Sequence, residues 1–388
     1  MTLRICRTGA VDEARRLGWD TLAAPDDLFH SSAWLSLESG QADTPPVYFI
    51  AGADQGESPD VAVTCYPLSS ASEPWPFMRL DSALLHQARR RGLEVSDQAA
   101  AALASLLPTH LYGCRRVPDT RVLLSARGTD DERARLVSSF VDHLERDARE
   151  HGVRSMAFLF VSEGERATRE ALRRRGYAEF PSASYATLRL HAAGFDAYLA
   201  RFSGDRRREI RRERRRMHEA GVRFAVEPLT NDLIQELVPL LLLHGRRYGH
   251  AYTPEGLTRG MSLHREHLGQ QVSAVTARST DGRVRGFATI VAWGGRVFIR
   301  QTGFDYEWQG RLPLYFAVCY YEPIEYAGRI GATALDLAIE SEATKRSRGC
   351  EFDQRFGYVR VLDEESRTKT ELLMRQICAT TREPDVSS

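Results

Sequence analysis

Long apolar runs are missing from this 388-residue chain. The densest, around Leu237–Leu243, is the size of one buried helix and falls short of the roughly 18–20 residues a bilayer crossing needs. The opening MTLRICRTGAVDEARR has no apolar segment of the secretory kind and turns acidic early, so a cytoplasmic protein is expected. Cysteine is sparse and scattered, at positions 6, 65, 114, 319, 350 and 378, with no CxxC. That spacing argues against a disulfide scaffold and against a zinc site. His264 and His267 would supply half a metal site at most, and no further ligand cluster follows, so no metal is expected. Excess charge is also missing: 53 basic residues against 52 acidic leave +1, and bulk charge selects no partner. There is no Ser-His-Asp pattern and no Gly-x-Ser-x-Gly, which removes the common covalent hydrolase designs.

Lysine is the sharpest scarcity. Only Lys345 and Lys369 are present, so 51 of the 53 basic residues are arginine. A GC-rich genome accounts for the bias and also singles out the lysines that remain. Ammonium and guanidinium are not interchangeable where a compact or proton-transferring group is needed. Lys369 lies in a charged helical stretch, ESRTKTELLMRQ, and reads as surface. Lys345 lies in ESEATKRSRGC, directly after an apolar strand.

What is present is an ordinary globular composition, 43% hydrophobic and 27% charged, at a length suited to two or three domains. Two passages run strand, helix, strand, helix, strand. The first has strands at 121–125, 153–161 and 183–190, with a capping box at Thr129–Glu132 opening a long helix. The second has a hairpin around Asp281-Gly282, strands at 296–304, 333–339 and 350–361, and helices at 314–329, 341–348 and 364–378. Helical crossovers imply parallel neighbours, so the expected fold class is α/β with mixed sheets. Composition shifts to charge near 191–222. The expected organisation is two similar domains, 1–195 and 223–388, joined by a basic helical segment at 196–222.

Between Asp205 and Arg223 stand nine arginines and four acids. On a helix Arg208, Arg211, Arg212, Arg215 and Arg216 share a broad face, with Arg207 beside it. Such a face repels itself unless counter-charge is near, and phosphate oxygens suit guanidinium groups. The competing reading is a solvated helix laced with Glu–Arg pairs, each worth only a few tenths of a kcal/mol.

Three stretches carry a family resemblance. LRRRGYAEF, a helix breaking at Gly-Tyr before a strand, resembles the closing helix of the GNAT N-acetyltransferase fold. FDAYLARFSGDRRREIRRERRRMHEAGVRF looks like the opening of the second domain in FemAB-like proteins. CYYEPIEYAGRIGATALDLAIESEATKRSRG is similar to the late helix–strand–lysine passage of that group. The resemblance implies two tandem GNAT-like domains and an enzyme that moves an aminoacyl group from aminoacyl-tRNA onto an amine, without a cofactor. The acceptor would be a small molecule or a cell-wall precursor, and specialised-metabolite pathways use such enzymes too. A GNAT acyl-CoA site has a Gln/Arg-x-x-Gly-x-Gly/Ala loop whose backbone N–H groups cradle the pyrophosphate. Neither candidate loop here, Ala126–Glu132 or Asp305–Leu314, has that pattern, and the first brings three carboxylates. Acetyl-CoA is therefore the donor only under the alternative reading, an N-acetyltransferase. A further alternative is a non-catalytic nucleic-acid-binding protein.

Under the aminoacyl-tRNA reading Lys345 is the expected catalytic residue, matching the family's lysine. Arg207, Arg208, Arg211, Arg212, Arg215 and Arg216 are the expected tRNA or anion contacts. His244, Arg246 and Tyr248 close an apolar helix and are expected to line the acceptor pocket. Arg300 and Gln301 alternate on an apolar strand, so one should face the cleft. Asp305, Tyr306, Asp336 and Glu340 sit at strand ends, where α/β sites collect.

Overall fold

The computed structural model describes residues 3–52, 58–75, 77–190 and 194–379. The chain forms two compact units. The first comprises Met1–Ala24, Phe29–Tyr185 and Asp353–Ser388, the second Pro25–Leu28 and Ala186–Phe352. These limits differ from the 1–195 and 223–388 division, because residues from Asp353 onward fold with the first unit. The basic segment belongs wholly to the second unit. Its Ile210 and Met217 are buried in that unit's core with Val275, Ile290 and Ile324, so it is a packed helix rather than a connector.

In chain order the first unit carries β1 (Arg4–Thr8), α1 (Val11–Arg16), α2 (Trp19–Leu22), α3 (Ser32–Gln41), β2 (Val47–Gly52) and β3 (Val61–Leu68). It continues with α4 (Leu80–Arg90), α5 (Asp97–Ala104), β4 (Thr109–Tyr112), β5 (Leu123–Leu124), α6 (Asp130–Glu150), β6 (Ser155–Ser162), α7 (Arg166–Arg174) and β7 (Ala178–Arg189). The chain passes into the second unit within β7. There it forms α8 (Phe195–Ala200), α9 (Gly204–Glu219), β8 (Arg223–Pro228), α10 (Asn231–Arg247), α11 (Pro254–Leu268), β9 (Val272–Arg278), β10 (Val284–Trp293) and β11 (Arg296–Phe304). Next come α12 (Tyr306–Gln309), α13 (Leu314–Phe316), α14 (Glu322–Ile330), β12 (Ala334–Asp336) and α15 (Glu342–Ser347). The chain returns to the first unit within β13 (Glu351–Val361) and ends with α16 (Glu364–Ala379).

In the first unit the strand order is β1-β2-β3-β4-β6-β13-β7, with β4 and β6 parallel and β13 antiparallel to β6. In the second, the last residues of β7 pair with β12, which lies parallel to β11, and β11-β10-β9-β8 follow as an antiparallel meander. Both are mixed sheets, as the crossover pattern predicts. The Thr129–Glu132 capping box is complete on α6. Asp281-Gly282 turns the β9–β10 hairpin, Gly282 taking a positive φ of 82°. The expected single helix at 314–329 is instead α13 and α14 joined by a π-helical turn over Ala317–Tyr321. Among the described residues no helix is long and apolar enough to cross a membrane.

Candidate functional site

The geometry of interest begins where two parallel strands part. β11 and β12 are in register at Arg296–Ala334, Val297–Leu335 and Phe298–Asp336, and the ladder stops there. On its other side the β12 continuation stays attached: Leu337 N–H donates to Ala186 O at 3.0 Å and Ala186 N–H to Ala338 O at 2.8 Å. Ala338, Glu340 and Ser341 then take left-handed φ values of 53°, 71° and 52°. None is glycine, so each costs of order 1 kcal/mol and persists only if something holds it.

Lys345 holds it. The side chain runs back from α15, and its Nζ donates to Leu337 O at 2.6 Å and Ile339 O at 2.5 Å. The residue is only 4% exposed, so the surface alternative for this lysine is excluded. Burial pulls its pKa down to about 8, against opposing pulls from Cys350, Glu340, Asp336 and Cys319. An ammonium has three N–H bonds, and two are fixed on carbonyls, which gives the third a defined direction. Lys369 is exposed and pairs with Glu365 one helical turn away.

The partner strand is irregular too. Opposite Thr289, β11 carries both Arg300 and Gln301, because the register with β10 shifts between Ala288–Thr302 and Ile290–Ile299. Gln301 N–H donates to Thr289 Oγ1 at 2.9 Å. A bulge of this kind breaks strict alternation. Strict alternation therefore does not decide which of Arg300 and Gln301 faces which side, and both are half-buried.

Other expected residues sort into distinct places. Asp336 is buried and its Oδ2 pairs with Arg296 Nη2 at 2.9 Å, so it is engaged inside the sheet. Asp305 caps α12 by accepting from Trp308 N–H at 3.0 Å and pairs with Arg285 at 2.8 Å, a local structural role. Glu340 is exposed on the left-handed segment. His244 and Tyr306 do come together: Nδ1 and the phenol oxygen are 2.8 Å apart. The Tyr248 ring packs at a tilt against His244, with ring centroids 4.8 Å apart. Burial lowers the His244 pKa and raises that of Tyr306 to about 12, so both are neutral near pH 7. Arg246 is exposed, and it is Arg247 whose guanidinium lies over the Tyr306 ring at 4.4 Å. His264 is a core residue with Nδ1–H donating to Gly260 O at 2.8 Å.

The basic helix divides as well. Arg208, Arg211, Arg212 and Arg215 are exposed and, with Asp205 and Glu209, line a surface depression of about 430 Å³. Arg208 pairs with Asp205, while among the described residues no ion pair or hydrogen bond engages the side chains of Arg211, Arg212 or Arg215. Two of the six expected contacts point elsewhere. Arg207 donates to Phe202 O at 2.7 Å and Arg216 to Arg311 O at 2.8 Å, each satisfying a backbone carbonyl.

One cluster escaped sequence reading. Glu213, facing inward from α9, receives Arg348 Nη2 at 2.9 and 3.1 Å and the Tyr321 hydroxyl. Arg348 is 2% exposed and lies over the Phe316 ring at 3.7 Å. The available signal was spacing: Ile210, Glu213 and Met217 fall on one helical face. This buried bridge ties the underside of the arginine helix to the residue three places after Lys345.

Comparison with known proteins agrees with this architecture. The FemAB-like family, described as peptidoglycan biosynthesis/recognition, matches residues 117–383. No curated protein matches in sequence. Among solved structures, FemX superposes with a TM-score of 0.60 at 10% identity, covering 96% of this chain and all of FemX. A tandem GNAT protein from the clavulanic acid biosynthesis pathway gives 0.52 at 12% identity, covering 93% of this chain and 98% of its own. The C-terminal domain of an Agrobacterium fabrum protein described as a lysylphosphatidylglycerol synthetase gives 0.54 at 12%, covering 96% of each chain.

Proposed function

The chain belongs to the FemAB-like family, and on that footing we propose that it is an aminoacyltransferase that takes its acyl group from aminoacyl-tRNA. The product is an amide on the amine of a small-molecule or cell-wall-precursor acceptor. The observation that carries this reading is Lys345, a buried ammonium directed by two carbonyls at the parting of β11 and β12.

Aminolysis of an activated ester needs little beyond positioning and charge stabilisation. The neutral acceptor amine forms a C–N bond to the ester carbonyl carbon, and the carbonyl oxygen takes up the electron pair. The intermediate collapses, the C–O bond to the tRNA 3′-oxygen breaks, and the amine proton ends on that oxygen. The third N–H of Lys345 stabilises the oxyanion or the departing 3′-oxygen. Its pKa of about 8 suits proton donation near neutrality. The exposed face of Arg208, Arg211, Arg212 and Arg215 supplies phosphate contacts.

Two treatments test the reading. Ribonuclease before the reaction should abolish product, and omission of CoA should change nothing. Turnover that survives ribonuclease and requires acetyl-CoA would make the protein an N-acetyltransferase instead. Calorimetry should likewise give no micromolar acetyl-CoA affinity.

A further inference from the structure

The end of α10 presents aromatic rings to solvent. Tyr248 is 59% exposed and Tyr252 41%, uncommon for tyrosines that are also held in fixed positions. They are held. The Tyr248 ring lies 4.8 Å from His244, and His244 is bonded to Tyr306. The chain turns back at Gly249, with a φ of 73°, and lays Tyr252 across Gly245. A β-carbon at Gly245 would come within 2.4 Å of the Tyr252 ring, so the glycine is what lets that ring lie against the helix. His250 sits against the same ring at 5.2 Å.

Charge decides what such rings receive. From Leu243 to Tyr252 the sequence reads LHGRRYGHAY, with two arginines, two histidines and no acid. An aromatic cage for an acceptor ammonium would carry carboxylates or at least lack guanidinium groups. Helix-dipole compensation explains cations at a helix C-terminus but not exposed rings, and Arg247 lies on the Tyr306 ring. Flat rings interleaved with arginine suit a single strand of nucleic acid, whose bases stack while its phosphates meet guanidinium groups.

Topology adds the second argument. Tyr306 follows β11 directly, and the Leu337–Lys345 segment follows β12. The two strands are parallel neighbours, so both features lie toward the same end of the sheet, β11 running six residues past its last pair with β12 at Phe298–Asp336. We propose that Tyr248 and Tyr252 form a stacking platform for the unpaired bases at the 3′ end of an RNA. This rests on the aminoacyl-tRNA reading and gives the 3′ end a docking surface separate from the α9 arginines.

The test uses the full chain and a labelled ACCA ribonucleotide, compared with an abasic strand of equal length by fluorescence anisotropy. Wild type should prefer the base-bearing strand. Tyr248→Ala with Tyr252→Ala should reduce that preference by about tenfold or more, the scale of stacking one base on an aromatic ring. Tyr248→Phe with Tyr252→Phe should keep it. An alanine pair that retains the preference overturns the proposal. So does tyrosine-dependent binding of a uridine diphosphate sugar with RNA binding unaffected, since the base would then belong to a nucleotide-linked acceptor. Whole tRNA and ribonuclease-sensitive turnover run beside these measurements separate the two failures. Turnover that needs tRNA but ignores the tyrosines sinks the platform alone, whereas no tRNA binding at all sinks the donor reading with it.

Discussion

The pH dependence of single-turnover transfer tests Lys345 most directly. Its pKa is held at about 8 instead of the usual 10.5 because burial penalises the cation. Below pH 8 the group is an ammonium with a third N–H to offer; above it, the two remaining N–H bonds stay on Leu337 O and Ile339 O. The rate should therefore rise with deprotonation of the acceptor amine and fall about tenfold per unit once pH exceeds both the amine's pKa and the lysine's, about 8. Lys345→Ala should lower the plateau by about 10²–10³, the usual cost of one such donor, and erase the alkaline limb. Stability sets the control. The unfolded chain binds the extra proton between pH 8 and 10.5, so wild-type stability gains from this group as pH rises through that window. Below it the burial cost is about 3 kcal/mol. Alanine removes that cost but orphans two buried carbonyls at ~1–3 kcal/mol each, so the net loss at pH 7 should stay within about 3 kcal/mol. The assay is rapid-quench transfer from preloaded tRNA, corrected for ester hydrolysis, with urea denaturation alongside. An alkaline limb that persists in Lys345→Ala, or full activity in Lys345→Arg, would refute the reasoning.

Changing Arg208, Arg211, Arg212 and Arg215 together to Gln should flatten the salt dependence of tRNA binding, the log–log slope falling by roughly 0.7–0.9 for each phosphate no longer neutralised; an unchanged slope returns them to a solvated face. Glu213→Ala strands the Arg348 guanidinium inside the core and should cost about 3–5 kcal/mol in urea unfolding, with a shift under 1 contradicting the buried bridge. At Gly303 an added β-carbon would stand 2.7 and 2.8 Å from the backbone of Leu240 and Leu241. Gly303→Ala should push α10 off β11 and lower stability by about 1–3 kcal/mol, and a neutral result would mean that the packing there is looser than it stands.

Local chemistry made much of this legible. The Thr129 capping box, the Asp281-Gly282 hairpin and the apolar strand before Lys345 are all short-range signals, and each is present, the strand shortened from the expected 333–339 to Ala334–Asp336. The scarcity of lysine also pointed to a residue that is buried and bonded. What stayed hidden depends on partners distant in sequence. The Arg300–Gln301 bulge exists only relative to β10, so alternation within one strand cannot reveal it. Ala338, Glu340 and Ser341 carry no glycine to mark their left-handed turns, because Lys345 supplies the restraint from outside. Glu213 was hidden among twelve neighbouring charges in a run where apolar spacing was the better guide.

The return of the chain through β13 sets a timetable for synthesis. The first unit's sheet lacks the strand between β6 and β7 until residue 361 has left the ribosome. At ~5–20 residues per second, roughly 9–35 seconds separate the appearance of Tyr185 from that moment. During the interval β6 has an unfilled hydrogen-bonding edge that includes Met156, Phe158 and Val161, an invitation to wrong partners. The half made first is thus the half finished last, and the nascent protein depends on whatever shields that edge in the meantime.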